Sequence, residues 1–144
     1  MLVSEILRIK GTVLFTTPPE APLLDAVKVM AQNDIGSLVV MDHGRMAGIV
    51  TFAEVLRALA NRGGTLGDVK ISAITERNPL TATPAIDVNE LRRTMLERHA
   101  RYVPVMDGTT LLGVVSFHDV AKAVLEEQSF ENQMLKSYIQ DSPA

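Results

Sequence analysis

Hydrophobic and polar positions follow the same order twice along the chain. Each copy begins with a short extended segment, VLFTT (13–17) or PLTAT (79–83), and then passes through a proline-marked turn. The next segment of each copy has apolar residues on one helical face: Leu23, Val27 and Met30, then Val88, Leu91 and Met95. Two short apolar strands joined by a glycine-containing turn and a closing helix complete each copy. The pattern predicts the order β-α-β-β-α, twice.

A constant offset of 65 residues relates the two copies, pairing GIVTFAEV (48–55) with GVVSFHDV (113–120). Eleven identities occur between residues 12–59 and their partners without one gap. Self-similarity at a fixed spacing indicates a duplicated structural unit. Because a three-strand unit of about sixty residues buries little core alone, we expect the two copies to pack together as one module.

The pattern divides the chain into four segments. Residues 1–64 hold the first unit with an N-terminal helix, 65–76 form a linker, 77–126 hold the second unit, and 127–144 form a C-terminal helix and tail. An apolar stripe is predicted along the last helix: Val120, Val124, Phe130, Met134 and Tyr138. Two explanations of this stripe stay open, since it can pack on its own module or on a partner helix across a dimer.

Composition narrows the class of protein. Apolar residues make up 47% of the 144 residues and aromatics 4%, which predicts an aliphatic core. A net charge of −3 without a basic run argues against a nucleic-acid partner. The absence of cysteine excludes disulfides and thiolate chemistry. No segment approaches the roughly 20 apolar residues of a membrane span, and no signal peptide is evident. We therefore expect a cytoplasmic protein without membrane insertion.

The repeated phrase contains a hydroxyl residue three positions before an acid: Thr51 with Glu54, and Ser116 with Asp119. At a helix start this spacing is a capping box, in which both side chains satisfy free backbone N–H groups. The same geometry suits a ligand, because a helix N-terminus attracts phosphate and a nearby carboxylate can accept both hydroxyls of a ribose. The spacing alone leaves both interpretations open.

The tandem units and the segment RYVPVMDGTTLLGVVSFHDV (101–120) resemble the cystathionine-β-synthase (CBS) domain family. The resemblance extends from Val3 to about Ile139. It implies an α+β fold of two pseudo-symmetric units packed through their sheets, known as a Bateman module, which here carries an extended C-terminal helix. It also implies two clefts for adenosine ligands such as AMP, ADP, ATP, NAD(H) or S-adenosylmethionine, no required cofactor, and assembly into disc-like homodimers.

Residue by residue, the resemblance makes Asp119 the acceptor of the ribose diol and Ser116 a contact of the ribose or phosphate. Arg101 occupies the position of a phosphate-binding cation. The remaining candidates would line the nucleoside pocket: Val114, Leu14, Phe15, Ile35 and Gly36.

The first copy departs from the family pattern. Glu54 stands where the family prefers Asp, and Gly36 stands where the second copy has Arg101. The cleft of Thr51 and Glu54 is therefore expected to be degenerate, without a diol acceptor or a phosphate cation. One complete nucleotide site is predicted.

No catalytic constellation is evident. His43, His99 and His118 are too scattered for a metal motif, and no nucleophile, base and orienting group occur together. The sequence favours a non-enzymatic sensor of energy or redox state that binds an adenosine nucleotide and regulates an enzyme or transporter in trans. Two alternatives stay open: a ligand-free scaffold for dimerisation or protein interaction, and a small nucleotide-processing enzyme.

Overall fold

Both predicted β-α-β-β-α units are present in the computed structural model, which describes residues 1–11 and 14–141. The helices are α1 (Val3–Lys10), α2 (Leu23–Asn33), α3 (Phe52–Asn61), α4 (Val88–Arg98) and α5 (Phe117–Asp141). The strands are β1 (Thr16–Thr17), β2 (Ser37–Asp42), β3 (Arg45–Thr51), β4 (Tyr102–Asp107) and β5 (Thr110–Ser116). A short 3₁₀ turn covers Ile71–Ala73. The α+β fold class predicted from the sequence is confirmed.

The two sheets share one topology but differ in their first strand. In the first unit β1 runs parallel to β2, which is antiparallel to β3. In the second unit β4 and β5 are antiparallel, and the segment 79–83 contributes only a bridge from Ala82 to Val105. Pro104 stands where the first unit has Val39, whose N–H donates to the Phe15 carbonyl at 3.3 Å, and without an N–H it cannot make the equivalent bond to this segment. The predicted first strand of the second copy is thus shortened to one bridge.

Local sequence sets the ends of the helices. Thr51 and Glu54 form a capping box at α3, with two hydrogen bonds from backbone N–H groups of 3.2 Å each. Asp87 caps α4 by accepting two backbone N–H groups at 3.0 and 3.3 Å. At the other ends, Asp34 and His99 close α2 and α4 in the left-handed conformation, with φ of 51° and 52°. These two residues are related by the repeat, so the duplication extends to the caps.

The core of each unit includes a segment that the chain contributes from outside that unit. Val3 and Ile6 of α1 are buried in the core of the second unit. Val69 and Ile71 of the linker are buried in the core of the first. The boundary 1–64 assigns α1 to the first unit, whereas in the fold its apolar face packs on the second.

Close contact with β5 explains where α1 lies. Gly113 has no side chain, and the Leu7 side chain occupies the space where a Cβ would project. The backbone N–H groups of Val3 and Ser4 donate to carbonyls of Ile86 and Pro84 at 3.0 Å. Together these contacts hold α1 on the second unit.

Helix α5 continues beyond the core that its first turns help to form. Val120 and Val124 are buried, but Phe130, Met134 and Tyr138 are 62%, 58% and 77% exposed. The predicted apolar stripe therefore packs on its own module only at its start. Along the parts of the chain that the structure describes, no helix has both the length and the apolar character to cross a membrane.

Candidate functional site

A cavity of about 590 Å³, called cleft 1 below, lies between the two units. This volume is within the range of small-molecule sites in proteins. Three parts of the chain contribute to its lining: Leu7, Lys10 and Gly11 from α1 and the residue after it; Leu14, Phe15, Asp34, Ile35, Gly36 and Ser37 from the first unit; and Arg101, Tyr102, Leu112, Gly113, Val114, Ser116, Phe117 and His118 from the second.

Seven of the eight residues proposed for the nucleotide site line cleft 1: Leu14, Phe15, Ile35, Gly36, Arg101, Val114 and Ser116. The eighth, Asp119, does not line the cavity. Its carboxylate accepts a hydrogen bond from Lys10, which does line it. The fold brings the predicted set together at one place, and its role in nucleotide binding stays a prediction.

Ser116 and Asp119 cap helix α5. The Ser116 N–H donates to Asp119 Oδ2 at 2.8 Å, and the Asp119 N–H donates to Ser116 Oγ at 3.0 Å. These reciprocal bonds are those of a capping box and fix the orientation of both side chains. Among the described contacts, the other carboxylate oxygen, Oδ1, accepts no hydrogen bond from the protein. The cap is therefore compatible with a ligand contact at Oδ1.

Lys10 is a residue of the cleft that sequence reasoning missed. Its Nζ donates to Asp119 Oδ2 at 2.7 Å and to the carbonyl oxygen of Val114 at 3.0 Å. The Lys10 side chain is 41% exposed and that of Asp119 is 19% exposed. Because Lys10 and Asp119 are 109 positions apart, no local pattern could indicate this pair.

The surroundings of Asp119 act on its pKa in opposite directions. Partial burial by itself raises the pKa, because it disfavours the charged carboxylate. The hydrogen bonds from Lys10 and from the Ser116 N–H, with the positive charge of Lys10, outweigh burial and hold the pKa of Asp119 below its ordinary value. Asp119 is consequently a carboxylate at neutral pH and remains an acceptor.

Two aromatic side chains, also missed from the sequence, lie beside Arg101. The guanidinium carbon of Arg101 is 5.4 Å from the centre of the Phe52 ring, and the Phe52 and Tyr102 rings meet edge to face at 6.0 Å. Burial raises the pKa of Tyr102, and the charge of Asp119 raises it further while Arg101 lowers it. The phenol therefore stays protonated at neutral pH. Aromatic residues make up only 4% of the chain, so the presence of two of them beside the ends of predicted strands could have pointed to these contacts.

A second cavity of about 520 Å³, cleft 2, contains the capping pair of the first copy, Thr51 and Glu54. Glu54 is bound to both the hydroxyl and the N–H of Thr51. Arg57, Arg98 and Arg101 also line this cleft, so the expectation that it lacks a cation is wrong. Arg57 lies on α3 and Arg98 at the end of α4, outside the aligned motif, whereas Arg101 belongs to the motif of the second copy and lines both clefts.

Histidines and carboxylates form no metal cluster in the described ranges. His43 lies in a turn, where its Nδ1 is 2.6 Å from Asp42 Oδ1, and both side chains are exposed. His118 is exposed at the edge of cleft 1. Across residues 1–11 and 14–141, no group of three or more His, Asp or Glu side chains has an arrangement that could hold a metal ion.

Comparisons with known proteins agree with the fold. The CBS domain profile matches residues 3–61 and 71–126. The chain is 34% identical to the mitochondrial CBS domain-containing protein CBSX3 of Arabidopsis thaliana, over 96% of this chain and 71% of that protein. A crystal structure of a CBS-domain containing protein from Agrobacterium tumefaciens superposes with a TM-score of 0.81 at 27% identity, covering 85% of this chain and 98% of that one.

A third similar protein was solved with ligands. It is a CBS domain pair in complex with 5′-methylthioadenosine and S-adenosyl-L-methionine, with a TM-score of 0.76 and 26% identity. The match covers 88% of this chain and 98% of that one. A related pair of the same architecture therefore binds adenosine compounds.

Proposed function

This chain belongs to the CBS domain family as a tandem pair of CBS units, and on that premise we propose that it is a regulatory protein that binds one adenosine ligand in cleft 1. One observation carries the proposal. The cleft combines apolar side chains of the first unit, Leu14, Phe15 and Ile35, with the charged and polar groups of Arg101 and Ser116 from the second. Such a combination suits a ligand with a flat base at one end and a polar group at the other.

Each part of the cleft has a proposed partner on the ligand. The adenine packs against Leu14, Phe15, Ile35 and Val114, where apolar surface excludes water. The ribose hydroxyls donate to Asp119, whose Oδ1 has no protein donor among the described residues. Arg101 lines the same cleft as the proposed cation for a phosphate and is held by its contact with Phe52. The candidate ligands are AMP, ADP, ATP, NAD(H) and S-adenosylmethionine.

The protein can regulate a partner in trans if ligand binding changes the conformation of cleft 1. Cleft 1 lies between the two units, so a ligand that contacts both can alter their relative position. Coupling requires two states that differ in their ligand contacts. We propose that a partner enzyme or transporter distinguishes those states, and that the protein itself carries out no catalysis.

We also propose that the protein is a homodimer. Five apolar side chains of the distal part of α5 are at least 58% exposed: Phe130, Met134, Leu135, Tyr138 and Ile139. Side chains of this size present on the order of 500 Å² per copy, a large share of the roughly 800 Å² that one partner contributes to a stable interface. They continue the stripe of Val120 and Val124, so the same helix of a second copy would complete it.

A ligand-free scaffold is the second candidate. It is favoured by one observation: Asp119 and Glu54 are both already engaged, in capping boxes and, for Asp119, in an ion pair with Lys10. In that case the acids only stabilise helix starts, and no nucleotide affinity exists.

A thermal-shift screen separates the two candidates. Wild type, Asp119→Ala and Glu54→Ala are each melted with AMP, ADP, ATP, NAD, NADH or S-adenosylmethionine, and each shift is referred to the same variant without ligand. A ligand at 100 times its dissociation constant adds about 2.7 kcal/mol to the stability of the folded state. The proposal expects a shift in wild type and Glu54→Ala that is lost in Asp119→Ala. The absence of a shift in all three proteins would favour the ligand-free scaffold. The possibility of a small enzyme is tested separately, by product analysis after incubation with ATP or NAD.

A further inference from the structure

Lys10 reaches cleft 1 from a helix that is anchored on the second unit. Val3 and Ile6 fix α1 in the core of the second unit, and Leu7 packs on Gly113. The backbone of Lys10 is therefore fixed beside the cleft, and its flexible four-carbon side chain is the part that can move. Its ammonium spans Asp119 and the Val114 carbonyl, which both belong to the proposed nucleoside site.

A ribose at Asp119 would compete with Lys10. Asp119 Oδ2 already accepts hydrogen bonds from the Ser116 N–H and from Lys10, at 2.8 and 2.7 Å. A diol that uses both carboxylate oxygens must take the place of one of these donors. The Ser116 N–H is fixed at the start of α5, so the mobile ammonium of Lys10 is the donor that yields. An ammonium displaced from Asp119 keeps the Val114 carbonyl and water as acceptors but loses its charged hydrogen bond, which a second anion in the cleft can restore.

We propose that Lys10 makes cleft 1 selective for adenosine ligands whose 5′ group is anionic. This inference rests on the proposed function of cleft 1. A 5′-phosphate offers the displaced ammonium a new acceptor, and Arg101 stands in the same cleft to share the negative charge. A neutral thioether offers no such acceptor, and a sulfonium adds a third positive charge beside Lys10 and Arg101. The proposed ligand class is therefore 5′-phosphorylated adenosine compounds.

Isothermal titration calorimetry with two probes that share the same adenine base and ribose tests this selectivity. AMP carries a 5′-phosphate, and 5′-methylthioadenosine carries a neutral thioether in its place. Both are titrated into wild type, Lys10→Met and Lys10→Arg. The matched control is Lys70→Met, because Lys70 also donates to a carboxylate, Glu20, at 3.0 Å but lines neither cleft.

The expected result is a change in the ratio of the two affinities. Lys10→Met should reduce the preference for AMP over 5′-methylthioadenosine by about tenfold, which is the loss of one charged hydrogen bond. Lys10→Arg and Lys70→Met should keep the wild-type ratio within about twofold. The loss should fall on AMP, while 5′-methylthioadenosine binds as well as before or better because its competitor for Asp119 is gone.

The other outcomes separate the two proposals. Binding of both probes with an unchanged ratio in Lys10→Met would overturn the selectivity role and leave the adenosine site intact. An equal loss of both affinities would also overturn it, since it indicates a merely structural contribution of Lys10. Failure of both probes to bind wild type and every variant would overturn the adenosine site together with the selectivity.

Discussion

The hydroxyl end of Tyr102 occupies the space beside Gly36 where any larger residue would place its Cβ. Tyr102 begins β4 of the second unit, and Gly36 precedes β2 of the first, so this contact joins the two units at the edge of cleft 1. In the repeat, Gly36 corresponds to Arg101, and the sequence suggested that the first copy had lost a phosphate cation. The structure supplies a steric reason for the glycine.

We expect Gly36→Ala to destabilise the protein by about 1–3 kcal/mol, because the added methyl forces Tyr102 to move in a packed contact. Urea denaturation measures the change. In a Tyr102→Ala background the same substitution should cost much less, since the overlapping side chain is gone. Equal costs in both backgrounds would show that the Gly36 to Tyr102 contact is not the cause.

The Lys10 to Asp119 pair should contribute about 1 kcal/mol to stability at neutral pH. The pKa of Asp119 is lowered in the folded protein, so this contribution is present above the unfolded value of about 3.9 and is lost as pH falls through the folded pKa. The difference in the free energy of unfolding between wild type and Lys10→Met should be constant from about pH 5 to 8 and shrink below about pH 4. A pH series of urea denaturation curves measures it.

The control for that series is Lys70→Met, which removes an ion pair with Glu20 whose two side chains are 60% and 74% exposed. Exposed pairs contribute little, so its stability should follow that of wild type at every pH. A gap between wild type and Lys10→Met that persisted unchanged below pH 3 would contradict the assignment to Asp119.

Removal of the capping hydroxyl of Thr51 or of Ser116 should have the same effect on stability but different effects on ligand binding. Thr51→Ala and Ser116→Ala each remove an N-cap acceptor and should each lower stability by about 1 kcal/mol. Only Ser116→Ala should also weaken an adenosine ligand, because Ser116 lines cleft 1 and Thr51 lines cleft 2. Denaturation and ligand titration of both variants measure the two effects. An equal loss of ligand affinity in both would point to an effect through folding or to a second working cleft.

Met134→Glu should shift the proposed homodimer towards monomer, because it places a charge in the middle of the exposed apolar stripe of α5. Light scattering after size-exclusion chromatography measures the mass. Gln133→Glu adds the same charge one residue away, outside the stripe, and should leave the mass unchanged. A wild type that is monomeric at high concentration would contradict the dimer directly.

Much of the fold could be predicted because the duplication repeats each local signal. The helix starts at Thr51 and Asp87 depend on side chains within three residues, so they could be predicted from spacing alone. The structure also shows a shift of strand register after Val40 and after Val105, at equivalent positions of the repeat, which the sequence analysis did not predict. The shortened first strand of the second copy was not predicted, because the length of a ladder depends on hydrogen bonds to a distant strand.

The candidate site could be predicted in part. The motif around Ser116 indicated one wall, and the resemblance to a known family indicated the other, including Phe15 and Ile35. The structure added Tyr102, Phe52 and Lys10, and it placed three arginines around cleft 2. These side chains come together only in the folded chain, so the spacing of residues along the sequence does not indicate their contacts.

By itself, then, the sequence determined the duplicated β-α-β-β-α order, the helix caps and the aliphatic core, since each follows from periodicity and short-range hydrogen bonds. Only the tertiary structure decided that α1 packs on the second unit and that Lys10 binds Asp119. It also decided that the distal half of α5 leaves the core. The physical reason is that contacts between residues far apart in the sequence depend on which apolar faces bury each other, and several pairings satisfy the same local pattern.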